Sequence, residues 1–145
     1  VDSKRFEGSA RPEWIASKEM VFAAIEDPSI GLVNALTKEQ FEGRGQFFGK
    51  PGRIPQSISV PAIDLTDPMS GALRKPDELQ EAFDKAGANN FDHLITYCGG
   101  GIAASTAFLA LKLIGWERIA LYDGSLMEWN EDPVAPIEVG PLVHD

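Results

Sequence analysis

A single cysteine, Cys98, occurs among the 145 residues, so the chain cannot form an internal disulfide bond. The chain also lacks an apolar run of membrane-spanning length and a charged-then-apolar leader after Val1. Basic residues are outnumbered by acidic ones, which gives a formal net charge of −9, and the sequence has no cluster of basic residues. These absences argue against a nucleic-acid or anionic-membrane partner, and together they predict a cytoplasmic protein.

Histidine is scarce as well, since only His93 and His144 are present. His93 lies just before a predicted strand and His144 lies in the C-terminal tail. We therefore interpret both as structural or solvated side chains rather than catalytic ones. We predict neither a metal site nor a cofactor.

The composition that remains is that of an ordinary globular domain, with 43% hydrophobic and 24% charged residues. A chain of this length suits one domain with a sizeable core. Residues 1–13 are polar and aperiodic, which indicates a linker or an N-terminal arm. We therefore place the domain at residues 14–145.

Strand-like and helix-like segments alternate along this domain. Runs of apolar and β-branched residues predict strands at residues 14–16, 30–36, 57–60 with a continuation at 63–65, 94–97 and 119–122. Capping residues and periodicity predict helices at residues 18–26, 38–41, 76–87, 103–114 and 126–129. In the first helix we expect Met20, Val21 and Ala24 to face the core. The alternation predicts an α/β fold with a mainly parallel central sheet of about five strands and helices on both faces.

The stretch at residues 95–105 combines the only cysteine with three consecutive glycines, between a predicted strand and a predicted helix. Successive glycines let several backbone N–H groups converge as in an anion-binding nest, with a helix N-terminus behind them. Such donors stabilise a thiolate, so Cys98 is a candidate nucleophile. The alternative is a buried, inert cysteine that packs as a small hydrophobic side chain. The flanking glycines favour the nucleophile.

Two other kinds of site share part of this pattern. Residues 99–104 fit the dinucleotide-binding fingerprint G-x-G-x-x-A after a strand, with Asp123 about twenty residues further on. Only about forty residues follow the fingerprint, which is too few for a nucleotide-binding unit of that type. A cysteine phosphatase needs an arginine six positions after its cysteine, and this chain has Ala104 there.

Three segments in this order resemble the rhodanese domain, namely residues 52–58, 97–103 and 122–129. More narrowly, residues 14–139 are similar to the C-terminal catalytic domain of tandem thiosulfate or 3-mercaptopyruvate sulfurtransferases. The resemblance implies that Cys98 takes the sulfane sulfur of a small donor, holds it as a persulfide and releases it to a thiophilic acceptor such as cyanide or a thiol. It also implies that backbone amides of the loop surround the bound sulfur, those of Gly99, Gly100, Gly101, Ile102 and Ala103.

Some residues depart from the pattern of that family. Where an Asp-Ala-Arg strand end is usual, this chain has residues Asn34, Ala35 and Leu36, so a substrate-binding arginine is missing there. Arg53 replaces a common histidine. We expect Arg44 and Arg53 to face the substrate from the long glycine-rich loop that contains them.

The departures also bear on the donor and on partners. The glycine loop carries no cation to meet the thiosulfate dianion, which predicts that 3-mercaptopyruvate is the preferred donor and that Gly99→Arg shifts the preference toward thiosulfate. An N-terminal rhodanese-like domain in a longer protein is a further predicted partner, contacted by Trp14 and the polar arm. Because Leu36 removes the usual arginine, the alternative function is a non-enzymatic interaction or regulatory module.

Overall fold

Four parallel strands form the central sheet of the computed structural model, which describes residues 5, 7–46 and 48–142. The strands run in the chain order β1 (Ile30–Asn34), β2 (Ser57–Ser59), β3 (His93–Tyr97) and β4 (Ile119–Leu121). Their spatial order is β2-β1-β3-β4, and every neighbouring pair is parallel. The predicted α/β fold with a parallel sheet is therefore confirmed, with four strands rather than about five.

The predicted first strand, at residues 14–16, contributes only one bridge to the sheet. Residues Pro12–Trp14 form a 3-10 helix, and Ile15 pairs in parallel with Leu121 at the edge of β4. The Ala16 N–H donates to the Leu121 carbonyl at 2.9 Å. Pro12 stands at the start of the 3-10 helix, where its fixed φ favours a turn and its missing N–H costs no ladder bond. The extended run is then too short to count as a fifth strand.

Five α-helices flank this sheet: α1 (Lys18–Glu26), α2 (Lys38–Phe41), α3 (Pro76–Lys85), α4 (Ile102–Leu113) and α5 (Ser125–Trp129). The predicted caps are confirmed at two of them. The Ser17 hydroxyl accepts the Met20 N–H at 3.3 Å, and Thr37 forms a capping box with Gln40. These side chains satisfy N–H groups that have no partner inside the helix.

The buried face of α1 is narrower than predicted. Val21 and Ala24 are buried against the core, as expected, whereas Met20 is 43% exposed. Val21 and Ala24 lie three positions apart and share one stripe, but Met20 is displaced from Val21 by about 100° around the helix. The buried stripe on this nine-residue helix is therefore narrower than the sequence indicates.

The predicted strand at residues 63–65 is a 3-10 helix, Ala62–Leu65, and that prediction was wrong. Pro61 precedes it with a φ of −59°, and the Asp64 N–H turns back to the Pro61 carbonyl at 3.0 Å. Proline cannot donate to a strand ladder and presets the first position of a turn. The apolar run at this point is buried through Leu65 without pairing in the sheet.

The core lies on both sides of the sheet, because β1 and β3 are buried along almost their whole length. Such continuous burial is typical of a parallel sheet covered on both faces. From β1 the chain moves to β2 on one side, whereas β3 lies on the other side of β1. This reversal of strand order leaves a crevice at the carboxyl ends of β1 and β3, where parallel α/β sheets bind ligands.

No helix in the described part of the chain is both long enough and apolar enough to cross a membrane.

Candidate active site

Cys98 lies at the carboxyl end of β3, directly after Tyr97. It borders the crevice at the reversal of strand order, because β3 pairs with β1 in the middle of the sheet. Its side chain is shielded, with 2% of the residue exposed. The structure thus places the only thiol of the chain where this type of sheet holds its reacting groups.

One backbone amide points at the thiol. The Gly101 N–H donates to Cys98 Sγ, with 3.1 Å between the nitrogen and the sulfur. Gly101 is also the residue before α4, and Ile102 and Ala103 form the first turn of that helix, where N–H groups have no partner inside the helix. Residues 98–103 therefore form one continuous segment of loop and helix start, of which the Gly101 amide is the group that contacts the sulfur.

Gly101 is required by geometry at this turn. Its φ is +92°, a conformation that L side chains rarely adopt. A Cβ at this position would lie 2.5 Å from Asp123 Oδ1 and 3.0 Å from the Asp123 carbonyl oxygen. Both the turn and the close approach of Asp123 exclude a side chain, so the amide that faces Cys98 depends on this glycine.

The main chain of Cys98 is held from the next strand end by Ser125. The Ser125 hydroxyl accepts the Cys98 N–H at 3.0 Å and donates to the Tyr122 carbonyl at 2.8 Å. Ser125 is fully buried and has a φ of +51°, which is unusual for a residue other than glycine. Two further bonds join the same segments, since Leu126 and Met127 donate their N–H groups to the carbonyls of Cys98 and Gly99.

The Tyr97 side chain hydrogen-bonds the end of β3, just before Cys98, to the end of the long loop. Its hydroxyl accepts the Ile54 N–H at 3.1 Å and lies 2.7 Å from Ser57 Oγ. Because Ser57 Oγ donates its proton to the Ile54 carbonyl at 2.6 Å, the Tyr97 hydroxyl is the donor to Ser57. Burial raises the pKa of Tyr97 to about 12, so this hydroxyl stays protonated and keeps the bond.

Phe48 packs directly on the residue after the cysteine. A Cβ at position 99 would lie 2.3 Å from the Phe48 ring, so the ring rests on Gly99 with no space between them. At position 100 the nearest contact of a Cβ would be Met127 Sδ at 3.1 Å, and Gly100 is exposed. The expected Gly99→Arg exchange therefore meets a clash that the sequence does not reveal, and Gly100 is the position with room for a side chain.

The structure does not bring Arg53 to the glycine loop. Arg53 is 4% exposed, and its Nη1 donates to the Gly140 carbonyl at 2.6 Å and to the Phe41 carbonyl at 3.4 Å. Its guanidinium lies 4.4 Å from the centre of the Phe41 ring. Its Nε also forms an ion pair with Glu138 Oε2 at 3.6 Å. These contacts give Arg53 a structural role between the long loop and the C-terminal segment.

Arg44 is exposed and pairs with a neighbouring carboxylate. Its side chain is 65% exposed and forms an ion pair with Glu42. The hydrogen bond from Arg44 to Glu42 raises the pKa of the guanidinium further. Among the described residues, neither arginine makes a hydrogen bond or ion pair with the loop from Cys98 to Ala103.

The strand end at residues 34–36 supplies no cation either. Leu36 is 8% exposed and belongs to the hydrophobic core. Asn34 is fully buried, and its Oδ1 accepts the Leu36 N–H at 2.9 Å. The asparagine thus stabilises the turn after β1, and leucine fills the space where the usual pattern has a guanidinium. In the described part of the chain, no group of three or more His, Cys, Asp or Glu side chains is placed to hold a metal ion.

Sequence reasoning missed three residues around the cysteine: Ser125, Phe48 and Asn130. Ser125 had a signal, because serine after Asp-Gly at a strand end often hydrogen-bonds nearby backbone groups. The other two lie in a long loop and at a helix end, and nothing in their local sequence shows that they meet. Asn130 Nδ2 donates to the Phe48 carbonyl and, at 3.3 Å, to the Lys50 carbonyl.

The chain is similar to proteins named sulfurtransferases and to a solved persulfide structure. Residues 17–132 match the family model of the rhodanese-like domain. The chain is 28% identical over 136 residues to thiosulfate/3-mercaptopyruvate sulfurtransferase 1, mitochondrial, of Arabidopsis thaliana, covering 92% of this chain and 36% of that protein. It is 27% identical over 137 residues to the probable 3-mercaptopyruvate sulfurtransferase of Pseudomonas aeruginosa, covering 93% and 48%.

A solved variant of EanB, described as a cysteine persulfide in a tetrahedral intermediate state with ergothioneine, has the same fold. The TM-score is 0.82 at 26% identity, over 92% of this chain and 34% of that chain. The chain therefore spans between a third and a half of the length of these three proteins.

Proposed function

Because the chain belongs to the rhodanese-like domain family, we propose that it is a sulfurtransferase in which Cys98 carries the transferred sulfur as a persulfide. The observation that carries the proposal is the Gly101 N–H donating to the buried Cys98 Sγ at 3.1 Å, at the carboxyl end of a central strand. An amide donor aimed at sulfur stabilises the negative charge that the sulfur atoms carry during transfer. The names of the relatives support sulfur transfer as the chemistry.

The first half-reaction forms the persulfide. The Cys98 thiolate attacks the outer sulfur of the donor, and the bond from that sulfur to the rest of the donor breaks. With thiosulfate the electron pair leaves on sulfite. With 3-mercaptopyruvate the carbon–sulfur bond breaks, and the carbon takes up the electron pair and a proton to give pyruvate.

The second half-reaction returns the enzyme to its starting state. Cyanide attacks the outer sulfur of the persulfide, the sulfur–sulfur bond breaks, and its electron pair returns to Cys98 as the thiolate. Thiocyanate leaves. Neither step needs a protein base, because the nucleophiles are anions. This agrees with the position of His93 at the far end of β3 from Cys98.

3-Mercaptopyruvate is the donor that this proposal favours. The loop from Cys98 to Ala103 offers backbone donors and no cation, and Leu36 occupies the core. Backbone N–H groups suit a singly charged carboxylate better than a dianion, which gains most from charge-assisted bonds. The greater length of the relatives also supports the proposal that this domain acts beside an N-terminal rhodanese-like domain in a longer protein.

Mass spectrometry tests the persulfide directly. After incubation with 3-mercaptopyruvate or thiosulfate and removal of the donor, the protein should gain about 32 Da on the peptide that contains Cys98, as a covalent intermediate requires. Added cyanide should remove this mass and release thiocyanate. Cys98→Ser is the matched control and should show neither effect. A wild-type protein that gains no sulfur from either donor would overturn the proposal and favour the non-enzymatic module.

A further inference from the structure

A cavity of about 320 Å³ opens beside the glycine loop and has no part in the sulfur chemistry described so far. It is lined by Phe48, Gly49, Met127, Asn130 and Glu131. Two of these residues contact the loop directly. Phe48 rests on Gly99, and Met127 Sδ would lie 3.1 Å from a Cβ on Gly100. The cavity is therefore adjacent to the two residues that follow Cys98.

Part of the cavity wall is apolar, and the one charged residue that lines the cavity is acidic. Phe48 and Met127 form the apolar part, and Met127 is 59% exposed. Glu131 is the only charged residue among the lining residues, and the Asp123 carboxylate lies close to Gly101 on the neighbouring side of the loop. Lys50, the cation nearest in sequence to Phe48, directs its ammonium group to the carbonyls of Asp132 and Ala135 at 3.3 and 3.4 Å.

Asn130, which also lines the cavity, fixes the backbone of the Phe48 wall. Asn130 follows α5, and its side chain donates to the carbonyls of Phe48 and Lys50, on either side of Gly49. A Cβ on Gly49 would lie 2.9 Å from Asn130 Cβ, so the loop backbone is pressed against the asparagine. A ring held in this way is pre-organised, which favours a ligand that matches its shape.

We propose that Phe48 is a specificity-determining residue for the sulfur acceptor, and that the cavity it lines with Met127 favours the apolar body of an uncharged organic thiol over an anionic one. Asn130 is the positioning residue that holds Phe48 in place. The inference rests on the proposed sulfurtransferase activity. In the step concerned, the acceptor thiolate attacks the outer sulfur of the Cys98 persulfide, the sulfur–sulfur bond breaks with its electron pair going to Cys98, and an organic persulfide leaves.

The experiment compares benzyl mercaptan with 4-(mercaptomethyl)benzoate, which has the same body and adds a carboxylate, and uses cyanide as a third acceptor without an apolar body. The wild-type protein should prefer benzyl mercaptan by about tenfold in kcat/KM. Phe48→Ala should lower the ratio of benzyl mercaptan to cyanide turnover by about tenfold, through KM, since losing apolar contact in a pocket has that size of effect. Asn130→Ala should change the ratio in the same direction.

Two further variants keep the result independent of folding. Glu131→Lys places a cation at the exposed rim and should raise kcat/KM for the carboxylate analogue alone. Met69→Ala removes an apolar side chain that is 93% exposed and outside the cavity, and should change no acceptor ratio. Normal cyanide turnover with an unchanged thiol ratio in Phe48→Ala and Glu131→Lys would overturn the inference and leave the proposed function standing. Absence of cyanide turnover and of a persulfide in the wild type would overturn both.

Discussion

The Ser125 hydroxyl satisfies two buried backbone groups at once, the N–H of Cys98 and the carbonyl of Tyr122. Removing it leaves both without a partner, and each buried unsatisfied group costs about 1–3 kcal/mol. We expect Ser125→Ala to lower the free energy of unfolding by at least that amount and to reduce sulfur transfer, because the backbone of Cys98 loses its support.

Ser105 provides the matched control for that exchange. Its hydroxyl also donates to a backbone carbonyl, that of Ile102 at 2.6 Å, but the residue is exposed. Water replaces such a bond at little cost. Urea denaturation should therefore show almost no change for Ser105→Ala. Equal losses in the two variants would contradict the role assigned to Ser125.

Gly100, rather than Gly99, is the position at which a cation can be introduced to change the preferred donor. Gly99→Arg collides with the Phe48 ring, whereas Gly100 is exposed and meets only the flexible end of Met127. We expect Gly100→Arg to shift the ratio of kcat/KM values toward thiosulfate by about tenfold, or about 1.4 kcal/mol, and Gly99→Arg to lose activity with both donors. Steady-state kinetics with thiosulfate and 3-mercaptopyruvate decides this, and a ratio unchanged by Gly100→Arg would contradict it.

At the residue scale the sequence indicates the candidate nucleophile more clearly than the residues that surround it. Cys98 and its glycines are contiguous, so their chemistry can be inferred from local order. Arg53 has no such context, and only the fold shows that its guanidinium is directed to Gly140 and Phe41. A lone arginine in a loop carries no sequence signal that separates a substrate contact from a structural one.

Helix α4 is flanked by two glycines that have the same positive φ but different surroundings. Gly101 and Gly115 both have a φ of +92°, yet a Cβ on Gly115 would have nothing within 4 Å, whereas one on Gly101 would meet Asp123. Gly115→Ala should therefore cost only the backbone strain, about 1–2 kcal/mol, and leave sulfur transfer intact.

Gly101→Ala adds the clash to the same strain and moves the amide that faces Cys98. We expect it to lower the free energy of unfolding by more than Gly115→Ala and to reduce the yield of persulfide. Thermal unfolding and persulfide mass measured on both variants test this. Similar stability and a similar amount of persulfide in the two variants would contradict this prediction. Asp123 would then move aside easily, and the Gly101 amide would be dispensable.

At the scale of elements, the sequence predicts helix bounds and caps well where the residues responsible lie within one segment. The bounds of α1 and the capping box of α2 follow from side chains within a few residues of each other. The buried stripe of α3 is likewise confirmed at Leu79 and Phe83. The strand predicted at residues 63–65 is absent because Leu65 is buried without pairing in the sheet while Ile63 is exposed, and pairing depends on neighbours that are distant in sequence.

The whole molecule depends on a contact that the sequence does not indicate, between the long loop and the segment after α5. Arg53 and Glu138 form an antiparallel bridge, and Gly52 approaches the Glu138 carbonyl so closely that no Cβ fits. Asn130 holds the same loop nearer its middle. Such contacts join residues 80 or more positions apart, so no local pattern predicts them. They explain how a long loop can supply a fixed wall beside the candidate active site.

The stability of the whole molecule should depend on pH through His93, at the start of β3. Burial, with a smaller contribution from the nearby Arg118 cation, lowers the pKa of His93 below its usual 6.5. The unfolded chain therefore binds a proton more readily than the folded one. His93 then contributes stability that is present above the unfolded pKa and is lost as pH falls through 6.5 toward the folded pKa.

We accordingly expect the free energy of unfolding of the wild-type protein to fall as the pH is lowered from about 7.5 to 5.5. The free energy of unfolding of His93→Gln should fall less steeply over that range. Burial also lowers the solvation of any charged form at this site, so the neutral glutamine mimics the state that the fold prefers. The carboxylates whose pKa is lowered by nearby donors, Glu19, Asp27, Asp67 and Asp132, act at lower pH and are common to both proteins. Urea denaturation at each pH isolates the histidine as the difference between the two curves, and parallel curves would exclude it as the group responsible.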